Sequence, residues 1–186
     1  MPSIIQADQL KSADGNTTYL NSGTLSNLTF PSGHVIQTIQ RKKSDEGSSV
    51  ITNTSYQKVV DSGGNAEWYG AITPGSGNKV LINFNFVTFI VQTDSADGAG
   101  FCIYREDTII HQHVNGHSQY HGSVASDHNF YTIIHLQFLD ETPGGDGSTE
   151  IKYYLGNRAL SNSTVRINSL GSQHQPFISI LQEIKG

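Results

Sequence analysis

Lys79-Val80-Leu81-Ile82-Asn83-Phe84-Asn85-Phe86-Val87-Thr88-Phe89-Ile90-Val91 is the stretch that decides the fold class. Val80, Ile82, Phe84, Phe86 and Ile90 fall on one side at period two. Leu81, Asn83, Asn85, Val87 and Phe89 fall on the other. A surface helix would instead place apolar residues at i, i+3, i+4 and i+7. The first face is that of a sandwich core. The second begins polar and turns apolar, so part of it calls for cover by a partner or a loop.

Asn129 to Asp140 repeats the design. Phe130, Ile134, Leu136 and Phe138 point one way, and Tyr131, Ile133, His135, Gln137 and Leu139 point the other. Shorter candidate strands are 34–40, 56–60, 68–73, 101–104, 108–114, 150–155, 165–167 and 177–184. Turn signals separate them, such as Ser62-Gly63-Gly64-Asn65, Pro74-Gly75-Ser76-Gly77-Asn78 and Pro143-Gly144-Gly145-Asp146-Gly147. About ten short strands with no amphipathic helix predict an all-β, jelly-roll-like sandwich.

Residues 1–32 lack this period and carry spaced apolar anchors: Ile4, Ile5, Leu10, Leu20, Leu25, Leu28 and Phe30. The expected division is an extended N-terminal attachment arm over 1–32 and a β-sandwich over 33–186. Such an arm buries too little to order alone, but it can order on a partner's surface.

Only 15% of the 186 residues are charged, and Asn, Ser, Thr, Gln and 19 glycines take their place, which suits turns between strands. A net charge of −5 argues against a nucleic-acid partner. The basic run Arg41-Lys42-Lys43, followed by Asp45 and Glu46, reads as a solvated loop. The single cysteine, Cys102, lies in an apolar run and reads as a small buried hydrophobe. No signal-peptide pattern and no membrane-length apolar run occurs, so synthesis in the cytoplasm without a membrane anchor is expected.

Four histidines crowd His111-Gln112-His113-Val114-Asn115-Gly116-His117-Ser118-Gln119-Tyr120-His121. His111 and His113 would share a strand face, and such a pair can chelate a transition metal. The alternative is a polar loop of exposed or hydrogen-bonded histidines, because no carboxylate or thiol stands at ligand spacing. No cofactor is expected. Carboxylates at Asp94/Asp97 and Asp140/Glu141/Asp146 sit in turns and read as turn formers. Nucleophile elbows, phosphate loops and dinucleotide fingerprints are missing, so no catalytic residue is assigned. Trp68, Tyr69, His117, Tyr120 and His121 form a possible ligand-facing loop set, since exposed aromatics stack on sugar rings. A lone tryptophan such as Trp68 can equally be core.

The order of motifs resembles a C-terminal β-domain of tail-fibre and virion structural proteins of tailed phages, cyanophages in particular. The residues that carry it are Gly33-His34-Val35-Ile36-Gln37, Ile72-Thr73-Pro74-Gly75-Ser76 leading into Asn78-Lys79-Val80-Leu81-Ile82, and Phe101-Cys102-Ile103-Tyr104-Arg105 with Thr108-Ile109-Ile110. Phe138-Leu139-Asp140-Glu141-Thr142-Pro143 with Tyr153, and Ser179-Ile180-Leu181-Gln182-Glu183-Ile184, complete it. Leu10 to Gly15 and Leu28 to Gly33 also look like the leader of such domains. The resemblance implies a trimeric jelly-roll-like sandwich without catalytic residues. The expected function is a non-enzymatic protein of the virion surface, a homotrimeric capsid decoration or cement protein. Its partners would be itself and other virion proteins such as the major capsid protein. The alternative is a short tail fibre or receptor-binding tip recognising a host surface glycan. The short leader departs from the long shaft usual before this domain, and the histidine-rich stretch is not a feature of the family.

Overall fold

A computed structural model of the chain describes residues 9–11, 18–21, 24–25, 30–44, 47–51, 54–61, 64–66, 68–92, 98–112, 128–160, 164–167 and 176–186. Every regular element among them is a strand. Three short strands lie in the first 32 residues: β1 (Gln9–Lys11), β2 (Thr18–Asn21) and β3 (Thr24–Leu25). They pair antiparallel among themselves and, among the described residues, with no later strand.

The sandwich follows. Its first sheet takes β4 (Val35–Lys43), β8 (Lys79–Gln92), β11 (His128–Asp140) and β14 (Phe177–Ile184), in the spatial order β4-β14-β8-β11. The second takes β7 (Tyr69–Ile72), β9 (Gly98–Arg105), β10 (Thr108–Gln112) and β12 (Ile151–Leu160), in the order β7-β12-β9-β10. All pairings are antiparallel. Two four-stranded sheets whose strands interleave in this way are a jelly roll, a pair of Greek keys. Short strands extend the edges. β5 (Gly47–Ile51) and β13 (Thr164–Ile167) continue the first sheet along the later half of β8, and β6 (Gln57–Lys58) pairs β12 beyond β7.

The strand over residues 79–92 is the spine of the first sheet. β11 runs along one edge with Asp140 opposite Val80 and His128 opposite Gln92. On the other edge β14 covers its first half and β13 its second. Val80, Ile82, Phe84, Phe86 and Ile90 are buried, as the period-two pattern predicts. Thr88 occupies the remaining inward position; its hydroxyl donates to the Arg166 carbonyl at 3.2 Å, which satisfies the buried group. Phe177 fills the centre, with ring centroids 5.2 Å from Phe84 and 5.5 Å from Trp68. Phe101 of the second sheet meets Phe86 edge-on at 5.2 Å. Ile134 and Leu136 are fully inside, and Phe138 is partly buried against the core. The Phe130 side chain lies outside the described residues.

Four sequence expectations change here. Trp68 is no ligand-facing residue: it is 0% exposed. Residues 68, 70 and 72 face inward, so alternation sends Tyr69 out and Trp68 in. The run Arg41-Lys42-Lys43 is no loop; it ends β4 and pairs with Phe177 to Ser179 of β14. Asp140 is more than a turn former: it accepts the expected turn bond from the Thr142 N–H at 3.2 Å, but it is also buried. It ends β11 in the same inward register as Leu136 and Phe138, and it is 4% exposed. β5 was not visible in the pattern at all, because Gly47-Ser48-Ser49 supplies no apolar alternation. Cys102 is buried as expected, and burial pushes its thiol up to about 12, which keeps it protonated and unreactive.

Candidate functional site

Three surfaces carry chemistry. The first is the outer face of the first sheet. The residues that point out from its three central strands are Leu81, Asn83, Asn85, Val87 and Phe89 on β8, Tyr131, Ile133, His135, Gln137 and Leu139 on β11, and Ile178, Ile180, Gln182 and Ile184 on β14. None of these is Asp, Glu, Lys or Arg; the charge on the same side of β8 is Lys79 at its start, opposite Ile184, where it pairs with Glu141 at 3.0 Å. Ile133 is 78% exposed and Tyr131 53%. Tyr131 stacks on Phe89 across the strands, centroids 4.7 Å apart. Between the apolar ends runs a ladder of cross-strand hydrogen bonds: Gln137 Nε2 donates to Asn83 Oδ1 at 2.7 Å, and His135 Nδ1 meets Asn85 Oδ1. Loss of charge with exposed aromatic and aliphatic groups is the composition of an interface centre, not of a solvated sheet.

The second surface is the sandwich end where Lys79, Asp140 and Ile184 sit together. Two buried carboxylates hold it. Glu183 accepts from the backbone N–H of Gly75 at 2.8 Å, from Gln37 Nε2 at 2.7 Å and from Asn78 Nδ2. Burial raises its pKa, but these donors and Lys185 outweigh burial and hold the carboxyl below its ordinary value. Asp140 joins the sheets: Arg105 Nη1 reaches its Oδ2 at 3.0 Å, and the Tyr153 hydroxyl donates to Oδ2 at 3.0 Å. Burial first, then the charge of Asp140, push the Tyr153 phenol far above its usual range, so it stays a donor. Beside this pair opens a cleft of about 310 Å³ lined by Arg105, Ile110, Phe138, Asp140, Glu141 and Thr142. Asp146 does form a turn, accepting from the N–H groups of Ser148 and Thr149 at 2.8 and 2.7 Å. Those bonds hold its carboxyl far below the ordinary range.

The third surface is the outer face of the second sheet, where Tyr69 of the expected ligand set stands. Its ring lies 5.2 Å from that of Tyr154, and the Arg41 guanidinium sits 3.7 Å above it. The structure does not bring Tyr69 together with Trp68, which is core. His111 stacks on Phe138 at 4.8 Å, closing the open edge between β10 and β11. Phe30 is 38% exposed and stacks on His34 at 5.3 Å. His113, His117, Tyr120, His121, Ile4, Ile5, Leu28, Asp94 and Asp97 lie outside the described residues, as do the side chains of Leu10, Leu20 and Leu25. Among the described residues no three His, Cys, Asp or Glu side chains group closely enough to hold a metal.

The fold and these surfaces define a jelly-roll protein with one sheet face uncharged at its centre and one cationic, aromatic sheet face. Comparison with protein families and with curated proteins finds no match to the chain.

Proposed function

We propose that the protein is a non-enzymatic structural component of a virus particle surface, a homotrimeric capsid decoration protein attached through its N-terminal arm. The observation that carries this is the uncharged centre of the first sheet's outer face, with Lys42, Lys79 and Arg166 only at its margins. A monomer exposing Tyr131, Ile133, Val87, Phe89 and Leu139 on one sheet leaves a patch that closed cyclic symmetry buries in a standard way. The amide ladder at its centre suits a copy of itself, because side-chain amides both donate and accept. Jelly rolls are a recurrent architecture of viral capsid domains, which adds support at the level of the fold. Partners would be further copies of the chain and other particle proteins, with the major capsid protein first among them.

The test is light scattering of the whole chain, with quantitative mass spectrometry of purified particles. A trimer at micromolar concentration, present in particles in proportion to the capsid subunits, is expected. A stable monomer removes the assembly face, and absence from particles removes the virion reading. The tail-fibre alternative is favoured by the tyrosine row on the second sheet, and a copy number that follows the tail would select it.

A further inference from the structure

The second sheet shows a different surface. Tyr69 on β7 pairs with Tyr154 on β12, Tyr154 with Tyr104 on β9, and Tyr104 with Ile109 on β10. These four residues form one outward row across four strands, about 14 Å long at the usual interstrand spacing. Cations stand over the rings. Lys58 Nζ is 4.1 Å from the Tyr154 centroid and 5.9 Å from that of Tyr104. Lys152 Nζ lies 5.2 Å from Tyr69, beside the Arg41 guanidinium already described. The next row adds Arg158, 4.8 Å from Tyr56. Four of the chain's 11 lysines and arginines therefore gather on one sheet face of a protein whose net charge is −5.

Carboxylates border the row without filling it. Asp107 pairs with Lys58 at 2.6 Å and is 97% exposed, and Glu150 lies 3.9 Å from Lys152. Glu106 accepts from the Lys152 backbone N–H. This mixture selects among anionic polymers. A nucleic acid carries a charge at every unit, and the bordering carboxylates oppose such a density. A polysaccharide with spaced acidic groups fits better. Its C–H faces pack on tyrosines, its hydroxyls donate to the carboxylates, and its anionic groups meet the lysines.

We infer that the outer face of the second sheet binds an acidic polysaccharide, with Tyr69 and Tyr154 as its platform and Lys58 and Lys152 pairing with its anionic groups. The inference does not depend on the particle reading, because it uses the opposite face of the sandwich.

The test is affinity electrophoresis of the whole chain in gels containing hyaluronate, chondroitin sulfate, dextran or poly-dT. Retardation by hyaluronate or chondroitin sulfate is expected, weakening as salt rises, and absent with dextran. Both acidic polymers carry a carboxylate on every second sugar and only chondroitin sulfate adds sulfate, so retardation by both assigns the carboxylate and retardation by chondroitin sulfate alone assigns the sulfate. The Lys58→Ala/Lys152→Ala double variant should weaken binding by about tenfold or more. Tyr154→Ala should do the same, while Ser76→Ala, in an exposed turn at the sandwich end, should leave it unchanged. Melting curves establish that each variant is folded, and the lysine pair suffices if Tyr154→Ala does not fold. Failure to bind either acidic polymer at low salt overturns the inference. So does salt-insensitive binding to dextran, stronger retardation by poly-dT, or full binding by the folded lysine variant.

Discussion

The two sheets of one sandwich treat their outer faces in opposite ways. On the first, the outward residues of β11 and β14 and those of β8 beyond Lys79 are uncharged where they are described, and Ile133 and Tyr131 stand largely in solvent. On the second, the outward face of β9 is buried even though no third layer of strands among the described residues packs upon it. Gly98, Gly100, Cys102 and Tyr104 are all buried there. The cause is local: a Cβ on Gly156 would come within 2.5 Å of Cys102 Sγ and of the Tyr104 ring, so that ring lies across the glycine. Likewise a Cβ on Gly100 would meet Arg158 Nε at 2.8 Å and the Tyr56 hydroxyl at 2.9 Å. Glycines make a trough, and long side chains fold flat to fill it. A sheet can thus finish its solvent face from its own side chains, or leave it for another chain. The first sheet does the latter.

Paired substitutions on β8 and β11 probe that contrast most strongly. Phe84→Ala removes an inward ring and should cost about 3–5 kcal/mol in denaturant unfolding. Phe138→Ala, at a partly buried ring, should cost less. Ile133→Lys should change monomer stability by no more than about 0.5 kcal/mol, since its side chain already meets solvent. It should nevertheless convert the trimer to monomer in light scattering, because a charge would then sit in the buried interface. If Ile133→Lys unfolds the protein, residue 133 faces a core and the contrast between the faces is lost.

Gly156→Ala probes the opposite face. The added methyl must displace Tyr104 or Cys102, and overpacking of this kind costs about 1–3 kcal/mol. Trimer formation should be unaffected. An equally stable Gly156→Ala would mean that the flat tyrosine gives way freely and that the trough is not closely packed.

Much of this contrast was legible in the sequence, and the misses have physical causes. The alternation over 79–91 and 129–140 distinguishes the faces of β8 and β11, and Ile133 and Leu139 are exposed as that pattern requires. Alternation cannot show that Gly98 and Gly100 are covered, because the covering groups, Arg158 and Tyr56, come from distant segments. It equally hides Asp140. A carboxylate beside Glu141 and Pro143 resembles a turn former, and only the register of β11 turns it inward toward Arg105 and Tyr153. Trp68 and Tyr69 read alike as aromatics after a glycine-rich loop, yet adjacent strand residues must part to opposite faces. Arg41 lies in a run of like charge that has no apolar alternation, so its place over Tyr69 depends on pairing with β14.

The faces stay distinct only while the sandwich end remains fastened, and Glu183 tests that fastening. Its folded pKa lies below its ordinary value. The stabilisation is therefore complete above the unfolded range near about 4.3 and is lost as pH falls through the folded value. Glu183→Gln should cost about 1–3 kcal/mol at neutral pH, because one oxygen that accepts charge-assisted bonds becomes a donor. Urea midpoints of variant and parent should converge as the medium is acidified. A constant gap across that range would show that the side chain acts by shape and not by charge.

The smallest expected effect decides what the cations on the second sheet are for. Lys58 touches Tyr154 and pairs with Asp107, whose side chain is almost fully exposed. A cation–π contact at an exposed site contributes about 0.5–1 kcal/mol, and a surface ion pair about the same or less. Methionine at this position would retain the apolar stem that covers the ring. Lys58→Met should therefore lower stability by no more than about 1 kcal/mol in a urea titration. A small loss leaves the charge available to pair with a ligand, and the tyrosine row keeps its place without it. A loss above about 2 kcal/mol would instead make Lys58 a structural lid on Tyr104 and Tyr154. The second sheet would then be closed by its own cations, and the two faces would differ in how they are covered but not in what they can bind.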